Sequence, residues 1–192
     1  TFVTYRRPFY RGASSAQEYH HTTKPEDCVV SSDDTPSLHY GTVIALGNRA
    51  VFIRGPSGSG KSDLALRCLN TAISPSLTPA GTAQRAVLIA DDYVVISQEG
   101  SRLVASAPET IHGRLEVRGV GIVAVKTAPT ADLVLVADLT TRDQIERLPA
   151  PWPTTEILSV PLPNLFVAPF EASAAIKVLL ALSGQIETGL QA

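Results

Sequence analysis

Methionine is missing from all 192 residues, which predicts a start that is processed or trimmed. Cysteine is nearly missing as well. Cys28 and Cys68 match no metal or redox spacing and read as two free thiols in a reducing compartment. Neither sign of charge is in excess, because Lys plus Arg total 16, Asp plus Glu total 18, and the net charge is −2. That balance excludes a polyanion-coating surface, so nucleic acid is not the expected partner and any phosphate affinity must come from a local site. No apolar run approaches the ~20 residues that span a bilayer, and no apolar stretch follows Arg6 and Arg7 as a signal peptide requires. The expectation is a cytoplasmic chain with no membrane partner. What the chain does have is a hydrophobic content of 44%, enough over this length for one well-buried domain.

Residues 1–37 hold few aliphatic side chains and many Ser, Thr, Asp, His and Arg, and read as a flexible tail. The pair His20 and His21 lacks a third ligand at useful spacing, so it reads as solvated. Order is expected over 38–185, with 186–192 as a short C-terminal tail. The run Leu38 to Leu46 is rich in strand formers, Gly47 and Asn48 make a turn, and Ala50 to Arg54 is a second, apolar strand. Lys61 to Asn70 carries Leu64, Ala65, Cys68 and Leu69 at helical spacing. Ile73 to Gln84 reads as a surface loop, and Ala86 to Ala90 as a central strand buried on both faces. A hairpin over Tyr93 to Ser106, strands at Leu133 to Ala137 and Ile157 to Val160, and a helix from Glu171 to about Leu182 complete the pattern. The fold class expected is α/β, with a mixed β-sheet and flanking helices around a phosphate loop.

That loop is Gly55 to Ser62, a G-x-x-x-x-G-K-S pattern set between a buried strand and an amphipathic helix. Its glycines let successive N–H groups point into one concave nest for a polyphosphate, and the helix adds the positive end of its dipole. Gly55, Ser57, Gly58, Ser59, Gly60, Lys61 and Ser62 are therefore the expected nucleotide-binding residues. Lys61 reaches the terminal phosphates, and the Ser62 hydroxyl is placed for Mg²⁺. A carboxylate for that ion is sought at the end of a neighbouring buried strand, where Asp91 and Asp92 stand. One can serve the metal while the other accepts a proton from a substrate hydroxyl, or Asp92 is only a solvated strand end. A lone His39 at a strand start is more often a capping or packing residue than a catalytic one.

Four segments together carry a family resemblance: Leu38 to Thr42, Arg54 to Asp63, Leu88 to Asp92, and above all Leu115 to Ile122, which a generic phosphate-loop protein has no reason to contain. In that order they resemble the C-terminal catalytic domain of HPr kinase/phosphorylase, over about Leu38 to Leu182. The bacterial enzyme phosphorylates a serine of HPr, a small phosphocarrier of the sugar phosphotransferase system. The resemblance implies ATP and Mg²⁺ as cofactors, an HPr-like phosphocarrier as partner, and a homo-oligomer, the family being hexameric. It implies Asp92 as the base, His39 beside it, Lys61 and Arg118 around the phosphates, and Ser62, Asp91 and Glu116 in the metal's environment. Without it, Glu116 and Arg118 read as an exposed ion pair on a strand.

The chain departs from the family's pattern in three places. The N-terminal domain of the long members has no counterpart in residues 1–37, so a compact form without that domain's regulation is expected. Asp63 stands where the family usually has Glu. The family's Pro-Val-x-Pro-Gly-Arg-Asn-like stretch, whose arginine assists phosphate transfer, is matched only by Val160 to Leu165, without the Gly-Arg. Arg142 or Arg147 are candidates to replace that arginine. The loss bears most on phosphorolytic dephosphorylation. It also keeps open a second reading, an ATP-binding sensor that acts through protein interaction. A small-molecule kinase is the third, though no Arg-rich lid segment is evident.

Overall fold

The computed structural model describes residues 36–77, 81–108 and 113–184. The expected tails at 1–37 and 186–192 therefore lie outside the described residues, apart from 36 and 37. The strands are β1 (Ser37–Tyr40), β2 (Thr42–Leu46), β3 (Arg49–Arg54), β4 (Ala72–Ile73), β5 (Gln84–Arg85), β6 (Val87–Ala90) and β7 (Tyr93–Glu99). They continue as β8 (Arg102–Ser106), β9 (Arg114–Val117), β10 (Gly121–Ala124), β11 (Thr130–Leu139), β12 (Thr154–Ile157) and β13 (Val160–Val167). The helices are α1 (Lys61–Asn70) and α2 (Ala174–Ser183). Nine strands form one mixed sheet in the order β1-β7-β8-β11-β3-β2-β6, with β13 also on β11 and β12 on β13.

Three of these strands run parallel. β11 pairs with β3, bringing Asp138 opposite Arg54, and with β13, bringing Asp138 opposite Phe166. Their carboxyl ends therefore open on one edge, where α/β sheets bind ligands. The side chains of β2 and β3 alternate between two cores. Ile44, Leu46, Val51 and Ile53 face α1 and α2 and meet Leu64, Cys68, Val178, Leu179 and Leu182. Val43, Ala45, Ala50 and Phe52 face the other way and meet Val94, Ile96, Leu103 and Leu133, because the sheet curls over its own far face. Burying Leu64 alone contributes about 2–3 kcal/mol, which holds the first turn of α1 against the sheet.

Several expectations need correcting. Leu38 to Leu46 is two strands, not one. A Cβ on Gly41 would lie 2.3 Å from the Phe52 ring and 2.7 Å from the Ile53 carbonyl oxygen, so only glycine lets the chain cross there. β6 is not central but ends the sheet; its outer edge is closed by residues 126–128, whose backbone bonds to Leu88 on both sides. The stretch from Ile73 to Gln84 is bracketed by the β4–β5 ribbon, which takes only its two end residues, and it carries a short 3-10 turn at Pro75–Leu77. Ile157 to Val160 is no strand but the two-residue turn of the β12–β13 hairpin. Its central residues, Leu158 and Ser159, both have positive φ, 46° and 62°. The phosphate-loop helix begins and ends where expected, and the 93–106 hairpin is present.

Candidate functional site

The loop between β3 and α1 is built as its residue types predict. Gly60 caps the helix at φ 97°, a left-handed conformation that costs a side-chain-bearing residue about 1–2 kcal/mol. Leu64 N–H already bonds back to Gly60 O at 2.9 Å, so the helix starts at the loop and aims its N-terminal amides into it. Lys61 is buried, and its ammonium donates to the carbonyl oxygens of Gly55 and Pro56, both at 3.0 Å. It also sits 4.3 Å from the centre of the Tyr40 ring, a cation–π contact. The Ser59 hydroxyl is buried with no hydrogen-bond partner, a polar group that the loop leaves uncommitted.

Asp91 and Asp92 are chain neighbours with unlike surroundings. Asp91 is buried, and its Oδ1 accepts from Thr42 Oγ1 at 2.7 Å and from Ser62 Oγ at 3.0 Å. Asp92 turns away because its φ is 64°, a conformation locked by Gly41 N–H donating to Asp92 O at 3.0 Å. Its carboxyl pKa lies above the ordinary value. Partial burial is the largest cause, followed by the neighbouring charges of Asp91 and Glu116, with Lys61 acting in the opposite direction.

Ser62 Oγ and Asp91 Oδ1 fit a divalent cation. Adjacent ligands of an octahedral Mg²⁺ with bonds of about 2.05 Å stand about 2.9 Å apart, close to the 3.0 Å between these oxygens. Among the described residues no three His, Cys, Asp or Glu side chains converge into a self-contained metal cage. Phosphate oxygens and water would have to complete the shell, the usual arrangement for Mg²⁺.

One cavity of about 630 Å³ gathers most of the expected residues: Ser57, Gly58, Gly60, Lys61, Ser62, Asp92, Glu116 and Arg118. Glu116 and Arg118 belong to the β9–β10 hairpin, whose register pairs Glu116 with Ile122. They face the loop rather than forming an isolated surface pair. Gly55 and Ser59 form the loop's inner side, and Asp91 lies beneath, reached through Ser62. His39 does not line the cavity. Its Nε2 pairs with Ser37 Oγ at 2.6 Å, and its ring stands edge-on to Phe52 at 6.0 Å. Burial, and then the charge of Arg54, hold its pKa below 6.5.

Arg142 and Arg147 do not reach this cavity. Arg142 projects from a 3-10 turn after β11 and pairs with Glu171 at 3.4 Å; Arg147 is exposed. The Val160 to Leu165 segment is part of β13, where Asn164 Nδ2 bonds to Asp138 Oδ2 at 2.8 Å. It thus offers no loop on which an arginine could swing. Thr42, Tyr40 and Phe170 escaped the sequence reading. Thr42 and Tyr40 look like ordinary strand residues, and Phe170 carries no local signal until its ring is seen against Gly60.

The family described as HPr Serine kinase C-terminal domain has a sequence model that matches residues 34–183. The HPr kinase/phosphorylase of Geobacillus thermodenitrificans is 33% identical over 144 residues, which are 69% of this chain and 42% of that protein. Its counterpart from Exiguobacterium sibiricum is 31% identical over 163 residues, 77% of this chain and 48% of that one. The chain thus spans less than half the length of these two curated relatives. Among solved structures, the Hpr(Ser) kinase/phosphatase from Coxiella burnetii superposes with a TM-score of 0.61. The match covers 76% of this chain and 88% of that one at 20% identity, which establishes likeness of fold. Among the described residues no helix is long and apolar enough to cross a membrane.

Proposed function

Because the chain belongs to the family of HPr serine kinase C-terminal domains, we propose that it transfers the terminal phosphoryl group of ATP to a serine of an HPr-like phosphocarrier. The observation that carries this reading is the placement of Asp92, its pKa raised, in the same cavity as Lys61 and Ser62. A carboxylate whose pKa lies above its ordinary value is a better base for a hydroxyl proton than an unperturbed one.

The serine oxygen attacks the γ-phosphorus, the bond from that phosphorus to the β–γ bridging oxygen breaks, and ADP leaves. The hydroxyl proton passes to Asp92. Charge on the transferring group is met by the Lys61 ammonium, once released from Gly55 and Pro56, and by Arg118. Ser62 and Asp91 would hold Mg²⁺, which supplies neutralisation of the β- and γ-phosphate oxygens when bound. In phosphorolysis, inorganic phosphate attacks the phosphoserine phosphorus, the bond from that phosphorus to the serine oxygen breaks, pyrophosphate leaves, and protonated Asp92 gives its proton to the serine oxygen. His39, bonded to Ser37 and edge-on to Phe52, acts through that packing rather than on the substrate. A homo-oligomer, a hexamer by family likeness, in the cytoplasm completes the proposal; sedimentation of the purified chain checks the assembly.

The test is transfer of labelled γ-phosphate to HPr-like proteins, with Asp92→Asn as control. Labelling that depends on Asp92 supports the kinase. A second reading, an ATP-binding sensor, is favoured by the absence of the family's Gly-Arg from β13. Nucleotide binding with no labelling of any phosphocarrier would establish it instead.

A further inference from the structure

A second cavity, of about 610 Å³, lies on the opposite flank of the phosphate loop from Asp91 and Asp92. Its position follows from topology. β3, β11 and β13 run parallel, so the segments leaving their carboxyl ends stand side by side: the loop, then residues 140–144, then residues 168–171. The cavity opens between them. Its walls are apolar, with Pro56 of the loop, Leu139 and Ala168, while Gln144 supplies a polar edge. Gln144 accepts from Thr140 Oγ1 through Oε1, leaving its amide N–H groups to donate elsewhere. The nearby carboxylate, Glu171, is already matched by Lys177 and by Arg142, so the site presents no free negative charge to an anionic ligand.

Phe170 joins this cavity to the first. It lines both, is 75% exposed, and its ring lies where a Cβ on Gly60 would come within 3.0 Å. A phenylalanine held open at the rim of a phosphate nest gains little from packing, yet it offers a face for stacking. The volume lies within the range of small-molecule sites. The first cavity holds Asp92, the proton acceptor of the kinase reading, beside Lys61 and Arg118, and is therefore assigned to the acceptor hydroxyl and the transferring group.

We propose that the second cavity holds the base and ribose of the nucleotide whose phosphates occupy the loop, with Phe170 as the stacking surface and Gln144 reading the base edge. This deepens the kinase proposal and rests on the loop binding phosphate. It divides the site: nucleoside on the β11–β13 flank, phosphates in the nest, acceptor on the β6–β9 flank.

The test compares equilibrium binding of ATP and of inorganic tripolyphosphate, each with Mg²⁺, to the full chain and two variants. The wild-type chain is expected to bind ATP at least tenfold more tightly than tripolyphosphate. Phe170→Ala should weaken ATP about tenfold, the size of a lost base–aromatic stack, with tripolyphosphate unchanged and ATP affinity restored in Phe170→Trp. Ala168→Leu, which narrows only the second cavity, should show the same selectivity, with tripolyphosphate binding as its control for folding. ATP affinity unmoved in Phe170→Ala, or equal weakening of both ligands, would overturn the base site while leaving the nest intact. Failure of the wild-type chain to bind either ligand would overturn the nest, and the base site with it.

Discussion

Arg54 grips Asp138 with two parallel hydrogen bonds, Nε to Oδ1 at 2.8 Å and Nη2 to Oδ2 at 2.7 Å. The pair ties the last residue of β3 to β11 one position before the phosphate loop, and Asn164 of β13 adds a third bond to the same carboxylate. Replacing Asp138 with Ala strands the guanidinium and the Asn164 amide together. We expect a loss of about 2 kcal/mol, read as a fall of about 4–8 °C in Tm.

The same pair bears on His39, whose pKa is lowered by burial and then by Arg54. A folded-state value below 6.5 means that the unfolded chain binds more protons as pH falls, so stability is lost from pH 6.5 down through the folded pKa. Arg54→Gln should move the His39 titration upward, though burial keeps it below 6.5, and should shrink the loss from this group. NMR titration of the ring protons measures the first effect. An unmoved His39 titration in Arg54→Gln would show that burial alone sets it.

Asp92 works with the opposite sign. Its folded pKa is raised above 3.8, so the ionised carboxylate costs stability, a cost that grows as pH rises from 3.8 through the folded pKa and then stays. Asp92→Asn should therefore abolish phosphoryl transfer yet raise Tm at neutral pH, the gain vanishing below pH 3.8. Asparagine also tolerates the φ of 64°. Thermal melts at several pH values, run beside the transfer assay, separate the two effects.

Gly41→Ala should cost about 3 kcal/mol, because its Cβ would meet the Ile53 carbonyl at 2.7 Å, a backbone atom that cannot swing aside. A denaturant midpoint unchanged by this substitution would mean that β1 and β2 do not cross as described. By contrast, the Leu158 and Ser159 turn holds residues ill suited to φ of 46° and 62°. Ser159, which is exposed, can be relieved without loss of packing, so Ser159→Gly should stabilise by about 1 kcal/mol, visible in the same denaturation curves, whereas Leu158 packs against the core.

Cys68 is buried, and its thiol pKa is pushed up to about 12, chiefly by that burial. In a Cys28→Ser background it should resist thiol reagents at pH 8 in the folded chain and react at the rate of unfolding. Rapid labelling without denaturant would contradict the packing of α1 against α2.

How much of this was legible depended on whether the signal was local. The loop and α1 carry theirs within sixteen residues, since glycine spacing and the 3.6-residue period of Leu64, Ala65 and Cys68 need no distant partner. β13 hid behind Pro161 and Pro163, which argue against a strand, and behind a hairpin turn without Gly or Asn. β6 looked central because Leu88 and Ile89 are fully buried, but its cover comes from residues 126–128, nearly forty positions downstream. Glu116 and Arg118 could be assigned to the cavity only through family likeness, because the β9–β10 hairpin has to fold against the loop before either side chain faces it.

The pairing of β3 with β11 also sets a timetable. β3 ends at Arg54, whose partner on β11 is Asp138, so 138 − 54 leaves 84 residues still to be synthesised when β3 is complete. At about 5–20 residues per second, a nascent chain waits about 4–17 seconds with Val51, Phe52 and Ile53 uncovered on that edge. Phosphate-binding competence is therefore a late acquisition during translation, and the interval before it is when the chain most needs shielding from its neighbours.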